Sequence, residues 1–222
     1  MITNEKNALM LDHVNIVKTI DVIVRNEQHS IIVMEYLPDS QVLQSIIDNE
    51  KIQLKFSDIV KCTLDITAGL KYIHAQNLLH LDLKPGNVLV TKGICKICDF
   101  GSSRFNFNPN DVQSNHIFEG NTVQYTAPEI LIGKEANQSS DTYSLGILMW
   151  QLRYRENPFK SLENRDTIIY NVVKYGLRPR AESRDEIQDD FSQLYQSCWS
   201  LEPTLRPTLE SVETQLGKRC HQ

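Results

Sequence analysis

His80-Leu81-Asp82-Leu83-Lys84-Pro85-Gly86-Asn87, followed by Asp99-Phe100-Gly101 and then by Ala127-Pro128-Glu129, is the stretch on which the reading of this sequence turns. Pro85 forbids a straight helix from Asp82 to Asn87, so these side chains leave a loop. A loop carboxylate such as Asp82 can orient an attacking hydroxyl and accept its proton. Lys84, two residues on, brings a fixed positive charge to the same place. Asn87 and Asp99 offer oxygen donors, which suit a hard cation such as Mg²⁺. A base, a cation and a metal-holding pair are what phosphoryl transfer asks of a protein, since positioning and charge neutralisation carry most of that reaction.

Working outward, the 222 residues are 41% apolar and 23% charged with a formal charge of -5, the composition of a folded globular chain and not of a disordered tail. The 23 Lys and Arg are scattered, which argues against nucleic acid as a partner. Tyr143 to Leu152 is the most apolar run and is too short to cross a bilayer, so no membrane partner is expected. The start Met1-Ile2-Thr3-Asn4-Glu5 has neither the basic nor the apolar part of a secretion signal, and a cytoplasmic location is expected. Five cysteines, Cys62, Cys95, Cys98, Cys198 and Cys220, read as reduced thiols. Cys95 and Cys98 have the spacing of half a zinc site, but a strand would point them to opposite faces and no second pair completes four ligands.

No repeat or linker divides the chain. Ala8, Leu9 and Leu11 predict a helix over Glu5–Leu11, and two β-rich runs, Ile20–Arg25 and Ser30–Tyr36, predict a hairpin closed by Asn26-Glu27-Gln28-His29. Val42, Leu43, Ile46 and Ile47 form one helical face, and Phe56–His74 carries another on Ile59, Val60, Leu64, Ile66, Leu70 and Ile73. Short strands are predicted at Val88–Val90 and Cys95–Cys98. Tyr143–Leu152 is apolar nearly all round, which makes it a buried helix, and the charged run Glu182–Asp190 reads as solvated surface.

Taken together these motifs resemble the catalytic loop, the magnesium-binding loop and the end of the activation segment of eukaryotic protein kinases. The resemblance covers nearly the whole chain. Glu5 stands where the C-helix glutamate would, Met34-Glu35-Tyr36-Leu37 resembles the gatekeeper and hinge, Asp141-Thr142-Tyr143 the start of the helix under the catalytic loop, and Arg206 the ion-pair partner of Glu129. The resemblance implies an α+β bilobal fold: residues 1–37 as a truncated upper lobe and hinge, and 38–222 as a complete, mainly helical lower lobe. It implies a protein kinase using ATP and Mg²⁺, with Asp82, Lys84, Asn87 and Thr122 catalytic. The nucleotide would lie against Met34, Glu35, Leu37, Leu89, Cys98 and Asp99, and the metal on Asn87 and Asp99. His80 would pack under Phe100 as a structural residue. Lys84 and Thr122 resemble the serine/threonine branch; within it, His80-Leu81-Asp82 and Ile168–Pro179 are most similar to the Mos kinases. That likeness implies a monomer acting on a protein substrate, with a mitogen-activated protein kinase kinase as the finer expectation.

The pattern departs from the family at its front. Kinases cover the ATP phosphates with a glycine-rich loop and hold them with a strand lysine. Here nothing before Gly69 is glycine, and Lys6, adjacent to Glu5 on one helix, cannot face it. The sequence thus resembles a kinase beginning inside its C-helix. Two readings follow: a Mos-like kinase whose sequence here lacks its true N-terminus, or a truncated, catalytically impaired chain that serves as a binding module. The intact set of lower-lobe residues favours the first. With the phosphates left wet, the 222-residue chain is expected to bind Mg-ATP weakly, to transfer phosphate slower by a factor on the order of 10³ or more, and to associate through the hairpin, whose Leu9, Ile31 and Val33 would be partly uncovered.

Overall fold

Thr19–Val24 (β1) and Ser30–Met34 (β2) pair antiparallel, with Val22 opposite Ile32 and Ile23 opposite Ile31. In this computed structural model residues 2–25, 29–106, 122–162, 164–181 and 188–218 are described. Residues 26–28 of the hairpin turn, Ser114, Cys220 and residues 182–187 of the charged run lie outside them. The helix predicted over Glu5–Leu11 is instead a short α-helix, Ile2–Glu5 (α1), that tightens into a 3₁₀ turn at Lys6–Met10. With three residues per turn, Ala8 and Leu11 eclipse each other. Both are fully buried, whereas Leu9 is turned out to 39% exposure.

Asn15-Ile16-Val17 stitches this front to the rest of the molecule. The Ile97 N–H donates to Asn15 O at 2.8 Å, the Val17 N–H donates to Ile97 O at 2.8 Å, and Asn15 Nδ2 donates to Cys95 O at 3.0 Å. Those partners lie on a three-stranded sheet ordered Gln41–Val42 (β3), Val88–Thr91 (β5), Ile94–Ile97 (β6); Leu78–Leu79 (β4) pairs separately with Arg104–Phe105 (β7). Leu43–Asp48 (α2) follows β3 directly and buries Leu43, Ile46 and Ile47.

The larger part is helical. Phe56–Ala75 (α3) buries the predicted face through Ile59, Val60, Ile66, Leu70 and Ile73. Pro128–Leu131 (α4) leads to Gln138–Tyr154 (α5), which is capped by Asn137 and buried on every side from Leu145 to Trp150. Asp190–Cys198 (α7) and α3 pack on α5, Arg165–Tyr175 (α6) packs on α4, and Leu209–Gly217 (α8) packs on α3. Gly146 permits the close crossing of α5 and α7, since a Cβ there would sit 2.8 Å from Cys198 Cβ and 2.9 Å from Tyr195 O. Among the described residues no helix is long and apolar enough to cross a membrane.

Candidate active site

The loop from His80 to Asn87 is hung from the first turn of α5. Asp141 is buried there; its Oδ1 accepts the Leu81 N–H at 2.8 Å, and its Oδ2 accepts the His80 N–H at 2.9 Å and lies 2.7 Å from His74 Nε2. Burial opposes the charge on Asp141, but the bonds and charge of His74 and the His80 N–H outweigh it and hold the carboxyl below its ordinary value. Leu81 has φ +64°, a conformation costly for a branched side chain, which this double anchoring sustains. The imidazole of His80 is buried, meets Phe100 edge-on with centroids 5.1 Å apart, and has Nε2 3.1 Å from Cys98 O. These contacts leave it a structural post.

At the end of that loop the four residues expected to be catalytic form one hydrogen-bonded group. Lys84 Nζ donates to Asp82 Oδ2 at 2.7 Å and to Thr122 Oγ1 at 3.0 Å, drawing the segment before Ala127-Pro128-Glu129 onto the loop. Asn87 Nδ2 donates to Asp82 Oδ2 and to Asp82 O, both at 2.9 Å. The Asn87 amide nitrogen is thereby turned inward, and its oxygen is the atom left for a cation. The Cys98 N–H donates to Asn87 O at 2.9 Å, which sets the end of β6, and so Asp99, beside Asn87.

Asp99 takes a left-handed φ of +64°, which an Asp tolerates well, and its Oδ1 accepts the Gly101 N–H at 3.2 Å. Glu5 comes down from α1 to the same place. A Cβ on Gly101 would lie 3.1 Å from Glu5 Oε1 and 3.3 Å from Asp99 Oδ1, so a side chain there would press on both carboxyls. Burial, and then the charge of Asp99, push the Glu5 carboxyl above its usual range, against the Phe100 N–H bond that lowers it. Asn4 Nδ2 to Gly101 O (3.1 Å) and Asn7 Nδ2 to Ser103 Oγ (3.3 Å) fasten α1 and its 3₁₀ turn to this segment. Asp99 and the Asn87 oxygen fit a Mg²⁺ ion in donor type; among the described residues no cluster of three or more His, Cys, Asp or Glu exists to hold a metal by protein alone. Such a two-donor site is the kind that Mg²⁺ fills with water and substrate phosphates.

The residues expected against the nucleotide are spread over three elements. Met34 ends β2 and is 46% exposed; Leu37 and Leu89 are half-buried, the latter on β5. The Glu35 side chain is engaged, with Oε1 accepting from Lys96 Nζ at 2.8 Å and from the Lys18 N–H at 2.9 Å. Burial alone would raise its pKa, but these partners hold it below the usual range. Cys98 follows β6, and burial, then Asp99 and Glu5, push its thiol up to about 12, so it stays neutral. Cys95 Sγ lies 3.0 Å from Cys62 Sγ on α3.

Beyond the loop, Arg206 forks onto Glu129, with Nη1 to Oε1 at 2.7 Å and Nη2 to Oε2 at 2.8 Å. Three features had no mark in the sequence reading: the His74–Asp141 contact, the Lys96–Glu35 pair, and a buried amide group around Gln151. The Gln151 Oε1 accepts the Tyr125 hydroxyl, and its Nε2 donates to Gln44 Oε1 at 3.3 Å and Asn157 Oδ1 at 3.4 Å.

A loop with an aspartate, lysine and asparagine in one group, set beside Asp-Phe-Gly and hung from a buried helix, is the arrangement found in protein kinases. The family model of the protein kinase domain matches residues 2–215, and the chain belongs to that family. Among curated proteins it is similar to the serine/threonine-protein kinase-transforming protein Mos of Moloney murine sarcoma virus, 33% identical over 229 residues that cover 96% of this chain and 61% of that protein. It is likewise similar to the proto-oncogene serine/threonine-protein kinase Mos of Mus musculus (32%, 96% and 66%) and to the serine/threonine-protein kinase Mos of Patiria pectinifera (33%, 97% and 62%). The chain therefore spans 61 to 66% of the length of these relatives.

Proposed function

We propose that this chain is the catalytic part of a Mos-like serine/threonine protein kinase, which moves the γ-phosphoryl of ATP to a Ser or Thr of a protein. The observation that carries this reading is Lys84 Nζ, which bridges Asp82 Oδ2 and Thr122 Oγ1. That bridge orients the Asp82 carboxylate, whose role is to align the acceptor hydroxyl and take its proton as the O–P bond forms. Lys84 sets its charge where the phosphoryl oxygens pass. Asn87 and Asp99 would hold Mg²⁺, which when bound neutralises the phosphate oxygens. Glu35 and Leu37 would meet the adenine through their backbone, with Met34, Leu89 and Cys98 lining the same space.

Radiolabel transfer from Mg-ATP to a protein acceptor, run over long incubation beside Asp82→Asn, tests this. Slow, Asp82-dependent formation of phosphoserine or phosphothreonine is expected; label that is mainly on tyrosine, or is equal in the Asp82→Asn chain, defeats it. Three finer parts rest on the resemblance to the Mos kinases and on composition: a mitogen-activated protein kinase kinase as substrate, a monomer, and a cytoplasmic location.

A further inference from the structure

A groove of about 460 Å³ opens beside the Lys84–Thr122 bridge and runs between α2 and the turn at Asn157–Leu162. Its near end is the place where an acceptor hydroxyl would meet Asp82, because Lys84 and Thr122 line both. Its charges have one sign. Lys84 and Lys160 are the ionised side chains of its lining, with no carboxylate among the described residues there. Asp48, one turn along α2, accepts from Gln44 Nε2 at 2.8 Å and lies outside the lining. Lys84 is already held by Asp82, so the exposed Lys160 is the cation that the groove presents to an incoming chain.

The polar walls are tied to the core. Gln44 and Asn157 both line the groove and both accept from Nε2 of Gln151, a fully buried residue of α5 that also takes the Tyr125 hydroxyl. Gln151 and Tyr125 are buried and satisfied, so they give the half-buried Gln44 and the exposed Asn157 a fixed point of attachment. Phe159, buried beneath, adds an apolar floor and has φ +60°.

Resting on the protein-kinase reading, we infer that this groove takes the acceptor segment of the substrate and selects acidic side chains beside the Ser or Thr, set against Lys160 and the amides of Gln44 and Asn157. A basic flank would bring like charge to Lys160, and the carboxylate at the near end, Asp82, is already engaged by Lys84, so such a flank is disfavoured.

The test uses three fluorescein-labelled peptides with one central Ser, flanked on both sides by Asp, by Gln or by Arg, and reads binding to the 222-residue chain by anisotropy at low salt. The Asp peptide is expected to bind about fivefold tighter than the Gln peptide, near the upper end for one exposed ion pair, with the Arg peptide weakest. Rising ionic strength should shrink the difference. Lys160→Glu, a surface change expected to leave the melting temperature unmoved, should remove the preference for Asp, and Lys160→Gln should reduce it. Equal binding of the three peptides, tighter binding of the Arg peptide, no binding of any, or a preference untouched by Lys160→Glu overturns the inference. Phosphate transfer to the same peptides is scored separately: charge-ordered binding without any transfer keeps the groove and removes the kinase activity.

Discussion

The Leu81 N–H donates to Asp141 Oδ1 at 2.8 Å, so the loop bearing Asp82 hangs from a carboxylate buried in the first turn of α5. Asp141→Asn replaces an acceptor oxygen by a donor that faces the Leu81 or His80 N–H, or His74. The expected result is a loss of about 3 kcal/mol or more, read by urea denaturation. Asp141 is held below its ordinary value in the folded chain, so its contribution is fully present above pH ~4 and is lost as the pH falls from there through the folded value. The Asn variant should lack that part of the acid-side slope; an identical slope in both chains contradicts the assignment.

Asp82 and Asp99 are assigned different tasks. Asp82→Asn should lower kcat by a factor on the order of 10² to 10⁴ with Mg-ATP binding unchanged. Asp99→Asn should instead raise the Mg²⁺ concentration needed for half-maximal nucleotide binding. Titration of both variants with Mg²⁺ and ATP, beside the transfer assay, separates them. A shared phenotype would show that the two carboxylates act as one unit.

Leu81 bears on control. Many kinases place an arginine beside the catalytic aspartate, where it pairs with a phosphorylated residue of the activation segment and orders it. Leu81 is buried in the apolar core and has no charge to offer, and Ser103 is buried as well. Phosphatase treatment of the purified chain is therefore expected to leave its transfer rate unchanged. Activity that vanishes with phosphatase and returns on phosphorylation of Ser102, Ser103 or Ser114 would reverse this view.

The Arg206–Glu129 fork joins α4 to the segment before α8, and both ends are buried. Arg206→Met leaves Glu129 charged and unpaired, at a cost of about 3–5 kcal/mol, whereas the Arg206→Met/Glu129→Leu pair should recover much of the loss. Chemical denaturation of the single and double variants gives the comparison. A double variant as unstable as the single one would mean that Ser139 O and Leu201 O, which also accept from Arg206, matter more than Glu129.

The loop from His80 to Asn87 was readable because its motif stands in residue types within one short stretch, and α3 and the core of α5 because their apolar positions are patterned for burial. The structure bears out the kinase class on both counts. Contacts without such a mark were not readable. His74 and Asp141 are 67 residues apart, and nothing local says they meet. Gln151 lies inside a largely apolar run, and only the fold shows it tying Tyr125, Gln44 and Asn157 together. Two-residue strands such as β3, β4 and β7 are too short to carry a period. At Glu5–Leu11 the apolar spacing fits three residues per turn as well as 3.6, and burial of Ala8 with Leu11 decides for the tighter turn.

The β1–β2 hairpin shows solvent much of its apolar surface, including Ile20, Ile23, Val24, Ile31 and Met34. Among the described residues it is a sheet of two strands, fastened to the body through Glu35, Asn15 and Val17. Little buried area resists its opening, so its amide protons should exchange with deuterium far sooner than those of α3 and α5. Bound nucleotide, which would lie between Met34, Leu37 and Leu89, should slow that exchange more than exchange anywhere in the helical part. Protection of hairpin amides would thus report occupancy of the site even in a chain that turns over no substrate.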